Sequence, residues 1–343
     1  MEKNILKKLK KNNLDKKTIL NLYENISKSE ILIVGDFILD IYTECIALGK
    51  TSKTPTLSVK KIKTDYYLGG AGLFANIISN LKCKANFITV VGKDTNSKII
   101  KKLLNTNLKL DKINDSSRPT TSKERFWVDG YKLLQLDILE NHYISKKIET
   151  KVLQKYNKKI KSSKSVILSD SRHGMMSPNL ISQLIKIAKK NNKFVILDSQ
   201  LNSSEGNLKF YKNIDILSAN ERELREYTKN NTSPLLSLAR KTFNDLKIKK
   251  YLIIKLGSEG LYLLDKKKYL YFPSIEVNAV DPIGSGDTLL SIFTICISNK
   301  FSVIESLFFA TCAASYSTTF MGTKHIERKD LKEFIIKILN NIE

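Results

Sequence analysis

The sequence predicts an α/β fold: a doubly wound, mostly parallel sheet with helices on both faces and a small β-sheet lid. Short apolar runs recur at 31–42 (ILIVGDFILDIY), 85–92, 165–170, 194–199, 214–220 and 251–257, and each reads as a buried parallel strand. Helical stretches separate them at 71–82, 95–105, 178–190, 221–228 and 234–246, which is the alternation of a doubly wound sheet. Two segments, 43–68 and 119–137, instead alternate apolar and polar residues, with Asp129-Gly130 as a turn between strand-like runs. They read as a lid over one edge of the body. In such a fold ligands gather at the carboxyl ends of the strands.

The remaining elements follow in chain order. The first thirty residues are Lys- and Asn-rich, with Leu9, Leu20 and Leu22 spaced for weak amphipathic helices, so 1–30 is expected to be a helical extension and 31–343 the α/β domain. A strand-like run is expected to lead into the glycine turn at 284–286, and the apolar stretch around 303–320 reads as a core helix with Cys312 as filler. No linker rich in Pro or Ser divides the chain, and no repeat is apparent.

With 343 residues, 42% hydrophobic and 27% charged, the composition is that of a folded globular protein rather than a disordered one. No apolar run reaches 18 residues, which excludes a membrane-spanning helix, and the basic start lacks the apolar region of a secretory signal. Cys45, Cys83, Cys296 and Cys312 lie far apart without a CxxC pair, as reduced cysteines of a cytoplasmic protein would. The net charge of +24 comes from 51 Lys and only seven Arg. The lysines are scattered through the polar faces without interleaved aromatics, so neither a nucleic-acid nor a membrane partner is expected.

The most informative stretch is VDPIGSGDTLLSIFTICIS (280–298): a Gly-x-Gly turn followed at once by an apolar helix. Backbone N–H groups of such a turn, together with a helix N-terminus, make a site for anions. Asp287 puts a carboxylate beside it. Either it caps the helix, or it accepts the proton of a hydroxyl that attacks a phosphoryl group.

Asp281 to Asp287 (DPIGSGD) resembles the C-terminal DTxGAGD signature of the ribokinase/PfkB carbohydrate kinases, with Pro282 in place of the usual Thr and Ser285 in place of Ala. The resemblance extends from residue 31 onward. GDFILD (35–40) is similar to the first strand and places the sugar-contacting Asp at Asp40; LGGAGLFAN (68–76) is similar to the diglycine signature at Gly69 and Gly70. The family's Asn position there holds Leu73, and the nearest Asn is Asn76. NERE (220–223) resembles the NxxE motif, and KLGSEG (255–260) the strand and turn beside the nucleotide. ERFWVDGYK, LDSQLNSSEGN and the segment after Cys45 are similar to the branch of D-glycero-D-manno-heptose 7-phosphate kinases, often fused to a nucleotidyltransferase.

The resemblance implies a ribokinase-like fold and an ATP- and Mg²⁺-dependent sugar or sugar-phosphate kinase feeding nucleotide-activated sugar and surface glycan synthesis. It implies Asp287 as base, and the N–H groups of Gly284, Ser285 and Gly286 as donors to the phosphoryl in flight. Asn220, Glu223, Lys255, Gly257 and Gly260 would serve the nucleotide, with Glu223 reaching the metal through water. Asp40, Gly69, Gly70, Arg125, Asp170 and His173 would serve the substrate, Arg125 because its planar fork suits phosphate. Asp198, Gln200 and Asn202 either line this pocket or cap loops, and Lys50, Lys53 and Lys123 read as exposed. Trp127 and Tyr131 close over the ligand or join two copies through the lid. His142 and His325 read as structural. A nucleotidyltransferase is expected as a separate partner, since the chain ends soon after the kinase core. The contrasting expectation is a non-catalytic sugar-phosphate-binding regulator or scaffold of the same fold, which the intact Gly284, Gly286 and Asp287 argue against.

Overall fold

The structure is a computed structural model that describes residues 8–105, 107–200, 207–322 and 326–340; His325 and Asn202 lie outside them. Thirteen strands form two sheets among these residues. The larger has nine strands in the order β13-β12-β11-β10-β9-β8-β1-β4-β5. Its parallel part comprises β1 (Glu30–Gly35), β4 (Lys84–Val91), β5 (Leu108–Asn114), β8 (Ser165–Asp170), β9 (Phe194–Ser199), β10 (Ile216–Asn220) and β11 (Tyr251–Lys255). The pair β12 (Leu261–Leu264) and β13 (Tyr269–Phe272) closes one edge antiparallel. These central strands are almost wholly buried because helices cover both faces. One face packs α1 (Lys16–Glu24), α2 (Ala71–Asn80), α8 (Ser285–Ser298), α9 (Val303–Ser317) and α10 (Arg328–Asn340). The other packs α4 (Lys146–Ile160), α5 (Pro178–Lys190), α6 (Glu221–Thr228) and α7 (Leu235–Asp245), while α3 (Thr95–Leu103) adds Ile100 to the core of the first face.

The run at 31–42 is divided in the structure. At Asp36, whose N–H donates to the Ser169 carbonyl, the chain leaves the large sheet and continues as β2 (Phe37–Lys50). That strand builds the lid with β3 (Leu57–Gly70), β6 (Ser122–Val128) and β7 (Tyr131–Ile138), in the order β3-β2-β6-β7. The central pair of the lid, β2 with β6, is parallel. No strand leads into the glycine turn: 273–284 is irregular. Pro273 and Pro282 have no N–H to give a ladder, and the N–H groups of Val280 and Asp281 donate to Thr318 at the end of α9.

Candidate active site

The seven parallel strands end along one rim of the sheet, five of them at Gly35, Asp170, Ser199, Asn220 and Lys255. The glycine turn faces that rim. Gly284 precedes α8 in the left-handed region (φ 80°), a conformation an L side chain resists, so this position requires glycine. Asp281 pins the turn through the N–H groups of Ile283 (3.0 Å) and Gly322 (3.0 Å). The Ser285 N–H donates to the Pro282 carbonyl (3.2 Å), which removes it from the expected set of anion donors. The orphan N–H groups of the first helical turn belong instead to Gly286 and Asp287.

Asp287, in that first turn, complements the helix dipole. Burial pushes its carboxyl well above the ordinary carboxylate range; Asp198 adds to the rise and Lys255 opposes it. Lys255 is the centre of this cluster. Its Nζ lies 3.6 Å from Asp198 Oδ1, and a Cβ added to Gly286 would stand 3.2 Å from that same nitrogen. Burial alone would lower the Lys255 ammonium, but the charges of Asp198, Glu223 and Asp287 outweigh it and hold it above its usual value. Lys255 therefore presents a fixed positive charge against the glycine turn, a role the sequence reading, which gave it only to the nucleotide, missed.

Asn220 and Glu223 form a capping box on α6: the Glu223 N–H donates to Asn220 Oδ1 (2.8 Å), and the Asn220 N–H to Glu223 Oε2 (2.8 Å). Burial raises the Glu223 carboxyl, with Lys255 the main opposing influence. Beside the turn lies a cleft of about 450 Å³, bounded by Lys255, Gly257, Gly260, Ser285 and Gly286 on one side and by Ile275, Val277, Leu289 and Thr311 on the other. Neither Asn220 nor Glu223 lines it. A broader groove of about 840 Å³ lies elsewhere, among Lys82, Lys102 and α10, where Arg328 and Lys332 are already paired with Glu24.

Across the rim sits the lid. Asp40, on β2, accepts from Arg125 Nη1 at 2.5 Å, and its charge also reaches Asp287. The two residues expected to meet the sugar and its phosphate separately are thus joined to each other. Gly69 packs against them: a Cβ there would fall 2.2 Å from Asp40 Oδ2. Gly69→Ala is expected to break the Asp40–Arg125 pair and raise the sugar KM at least ten-fold with a smaller change in kcat, measured by steady-state kinetics. Gly70 precedes α2 with φ 55°. Leu73 and Ile77, on α2, border Ile283, Gly284 and Thr288, so the departure from Asn at 73 places an apolar prop under the turn.

Asp170 is buried; its carboxylate accepts from the Arg172 N–H (3.0 Å) and from Tyr211 Oη (3.0 Å). Asp198 is also buried, whereas Gln200 is exposed and donates its N–H to the Asp170 carbonyl. His173 is buried, with Nδ1 donating to Asn141 Oδ1 (3.0 Å) and Nε2 without a partner. Burial, and then the charge of Lys123, push its pKa down to about 4, so the ring is neutral at pH 7 and Nε2 is an acceptor.

Sequence reasoning missed what holds this loop. The Asp36 carboxylate accepts the N–H groups of Ser171, His173 and Met175 at 3.1–3.2 Å. Arg118 donates to the carbonyls of His173 (2.8 Å) and His142 (2.6 Å) while paired with Asp115. A Gly-Asp step at the end of a buried strand was the available signal for Asp36.

A doubly wound sheet with a positively charged glycine turn facing its strand ends and a lid across them is suited to a small anionic ligand. A profile described as pfkB family carbohydrate kinase matches residues 28–329, and the chain belongs to this family. That family is one of carbohydrate kinases. It is 29% identical over 312 residues to the bifunctional protein HldE of Campylobacter jejuni subsp. doylei, and 27% identical over 315 residues to that of Aliarcobacter butzleri. Both alignments cover 90% of this chain but only 65% and 64% of the relatives. Among solved structures, Arabidopsis thaliana ribokinase complexed with ribose and ATP superposes with a TM-score of 0.70 at 21% identity, covering 90% of this chain and 98% of that one. Escherichia coli phosphofructokinase-2 in complex with fructose-6-phosphate gives 0.71 at 17%, covering 90% and 99%. These two establish a ribokinase-like fold.

Proposed function

We propose that the chain is an ATP-dependent kinase of a sugar phosphate resembling a heptose phosphate, supplying nucleotide-activated sugars for surface glycans. The single observation that carries the mechanism is the position of Asp287 in the first turn of α8, with the Lys255 ammonium against Gly286. The acceptor hydroxyl oxygen forms a bond to the γ-phosphorus as the bond from that phosphorus to the β–γ bridging oxygen breaks. The hydroxyl proton passes to the Asp287 carboxylate, and ADP leaves. Lys255 and the N–H groups of Gly286 and Asp287 stabilise the charge on the transferring phosphoryl oxygens. Asp40 and the neutral His173 Nε2 accept hydroxyl protons of the sugar and orient it. Asp170 acts one step back by fixing the Arg172 backbone.

The cleft suits a nucleotide. Its apolar wall faces the glycine turn, and the buried Thr311 Oγ1 has no protein partner, leaving it for the base or ribose. Magnesium, when bound, neutralises the phosphate tail. Among the described residues no group of three or more His, Cys, Asp or Glu side chains is placed to hold a metal ion. One Glu223 oxygen takes the Asn220 N–H, and the other remains for a water beside the magnesium.

The lid is proposed to join two copies. Its edge strand β7 is exposed throughout, with Tyr131, Leu134, Leu136 and Ile138 each at least 46% exposed. Sedimentation should show a dimer that Leu136→Lys converts to monomer; a wild-type monomer at tens of micromolar would contradict this. The relatives are named bifunctional, and the chain spans about 65% of their length. No helix among the described residues is long and apolar enough to cross a membrane.

The function is tested by ³¹P NMR of ATP, Mg²⁺ and enzyme with heptose 7-phosphate or with free sugars. A new phosphate ester on the sugar phosphate is expected. Esters on free sugars alone would overturn the substrate class.

A further inference from the structure

The inner face of the lid carries a patch of aromatic side chains with buried polar atoms. Tyr42 pairs with Arg125 across β2 and β6, and Trp127 follows two residues on, so all three project from one face, the face of Asp40. The Arg125 guanidinium carbon lies 5.4 Å from the centre of the Tyr42 ring, and Tyr42 stacks on Trp127 at 6.3 Å with 12° between planes. Tyr67 meets Tyr42 edge-on and borders Gly322 of the body, which places this patch over the rim.

Tyr42 Oη, Arg125 Nε and Trp127 Nε1 are all buried, and none finds a protein partner. Arg and Trp carry only donors, and burial holds the Tyr42 phenol above its usual value, so it keeps its proton. Buried donors without acceptors are rare in folded proteins, and three within one patch mark a ligand rich in acceptors. A sugar hydroxyl could give its proton to Tyr42 Oη, but it offers a single oxygen to the two obligate donors on Arg125 and Trp127. Asp40 and His173 Nε2 supply acceptors elsewhere. A phosphate monoester brings three acceptor oxygens and no obligatory donor.

We propose that Tyr42, Arg125 and Trp127 recognise a phosphate group already carried by the acceptor sugar, and so determine specificity for phosphorylated over free sugars. This rests on the kinase reading above. Tyr42 lies two residues beyond Asp40 along β2, about 7 Å farther toward the lid tip. The recognised phosphate therefore sits on a carbon remote from the hydroxyl delivered to Asp287. Arg125 has a double part: Nη1 orients Asp40, and Nε faces the phosphate.

Trp127 is the one tryptophan in the sequence, so emission excited at wavelengths that the fourteen tyrosines do not absorb reports on this patch. Titrations of the full chain would use inorganic phosphate, a sugar phosphate that the enzyme accepts, and the same sugar without phosphate. The phosphorylated sugar is expected to bind at least ten-fold tighter than the free one, with inorganic phosphate competing. Tyr42→Phe, which removes one hydroxyl, should narrow that ratio several-fold. In turnover, Trp127→Phe should raise KM for the sugar phosphate about ten-fold and lower kcat/KM for the free sugar far less. Equal losses on both sugars, or equal wild-type affinity for both, would overturn the assignment. A wild type that turns over no acceptor, yet whose Trp127 emission responds to phosphate, supports the patch and removes the kinase reading.

Discussion

Asp287→Asn lowers kcat by about 10²–10⁴-fold, the range a positioned general base contributes. The amide keeps the shape of the side chain and its place in the first turn of α8, so the helix and its free N–H groups survive. Nucleotide affinity, measured by calorimetry, stays within about two-fold, and so does sugar KM. That pattern, a fall in kcat with binding unchanged, separates loss of a base from loss of fold. A variant retaining more than a tenth of wild-type turnover would remove Asp287 from this role.

Lys255→Met gives the second large effect, about 10²–10³-fold in kcat, the scale for removing one preorganised donor from a developing charge. It also carries a pH signature whose sign is fixed. Burial and Asp198 raise the Asp287 carboxyl, and Lys255 is the influence that pulls it back. The base acts ionised, so activity is lost as pH falls through its elevated pKa. Removing the ammonium raises that pKa further, and the acid limb of the kcat/KM profile moves to higher pH. An acid limb that stays in place, or moves down, would show that Lys255 does not act on Asp287. Methionine approximates the length of the lysine stem, which limits the packing loss near Gly286.

The doubly wound body was legible because its strands are short apolar runs with helical patterns between them, and the glycine turn because Gly284, Gly286 and Asp287 form a contiguous signal. What escaped the reading depended on contacts distant in sequence. Helix α4 was missed because lysines mask its stripe of Ile148, Val152, Tyr156 and Ile160. The lace from Val280 and Asp281 to Thr318 turned an apparent strand into irregular backbone. The Asp40–Arg125 pair spans 85 residues, so neither side chain announces the other. Asp36 and Arg118 look like an ordinary acid and base in sequence, and only folding sets them on opposite sides of the loop at 171–175. Lys255 was hidden among fifty other lysines, and its burial among three acids is what distinguishes it.

Phosphoryl transfer from ATP to a sugar carrying phosphate can be observed directly. Release of ADP should be followed with Mg²⁺ across matched pairs of free sugars and sugar phosphates, heptose 7-phosphate among them. The predicted result is ADP release that depends on the sugar and favours the phosphorylated member of a pair. ADP release that ignores the acceptor, or silence across the panel while ATP still binds, would contradict it.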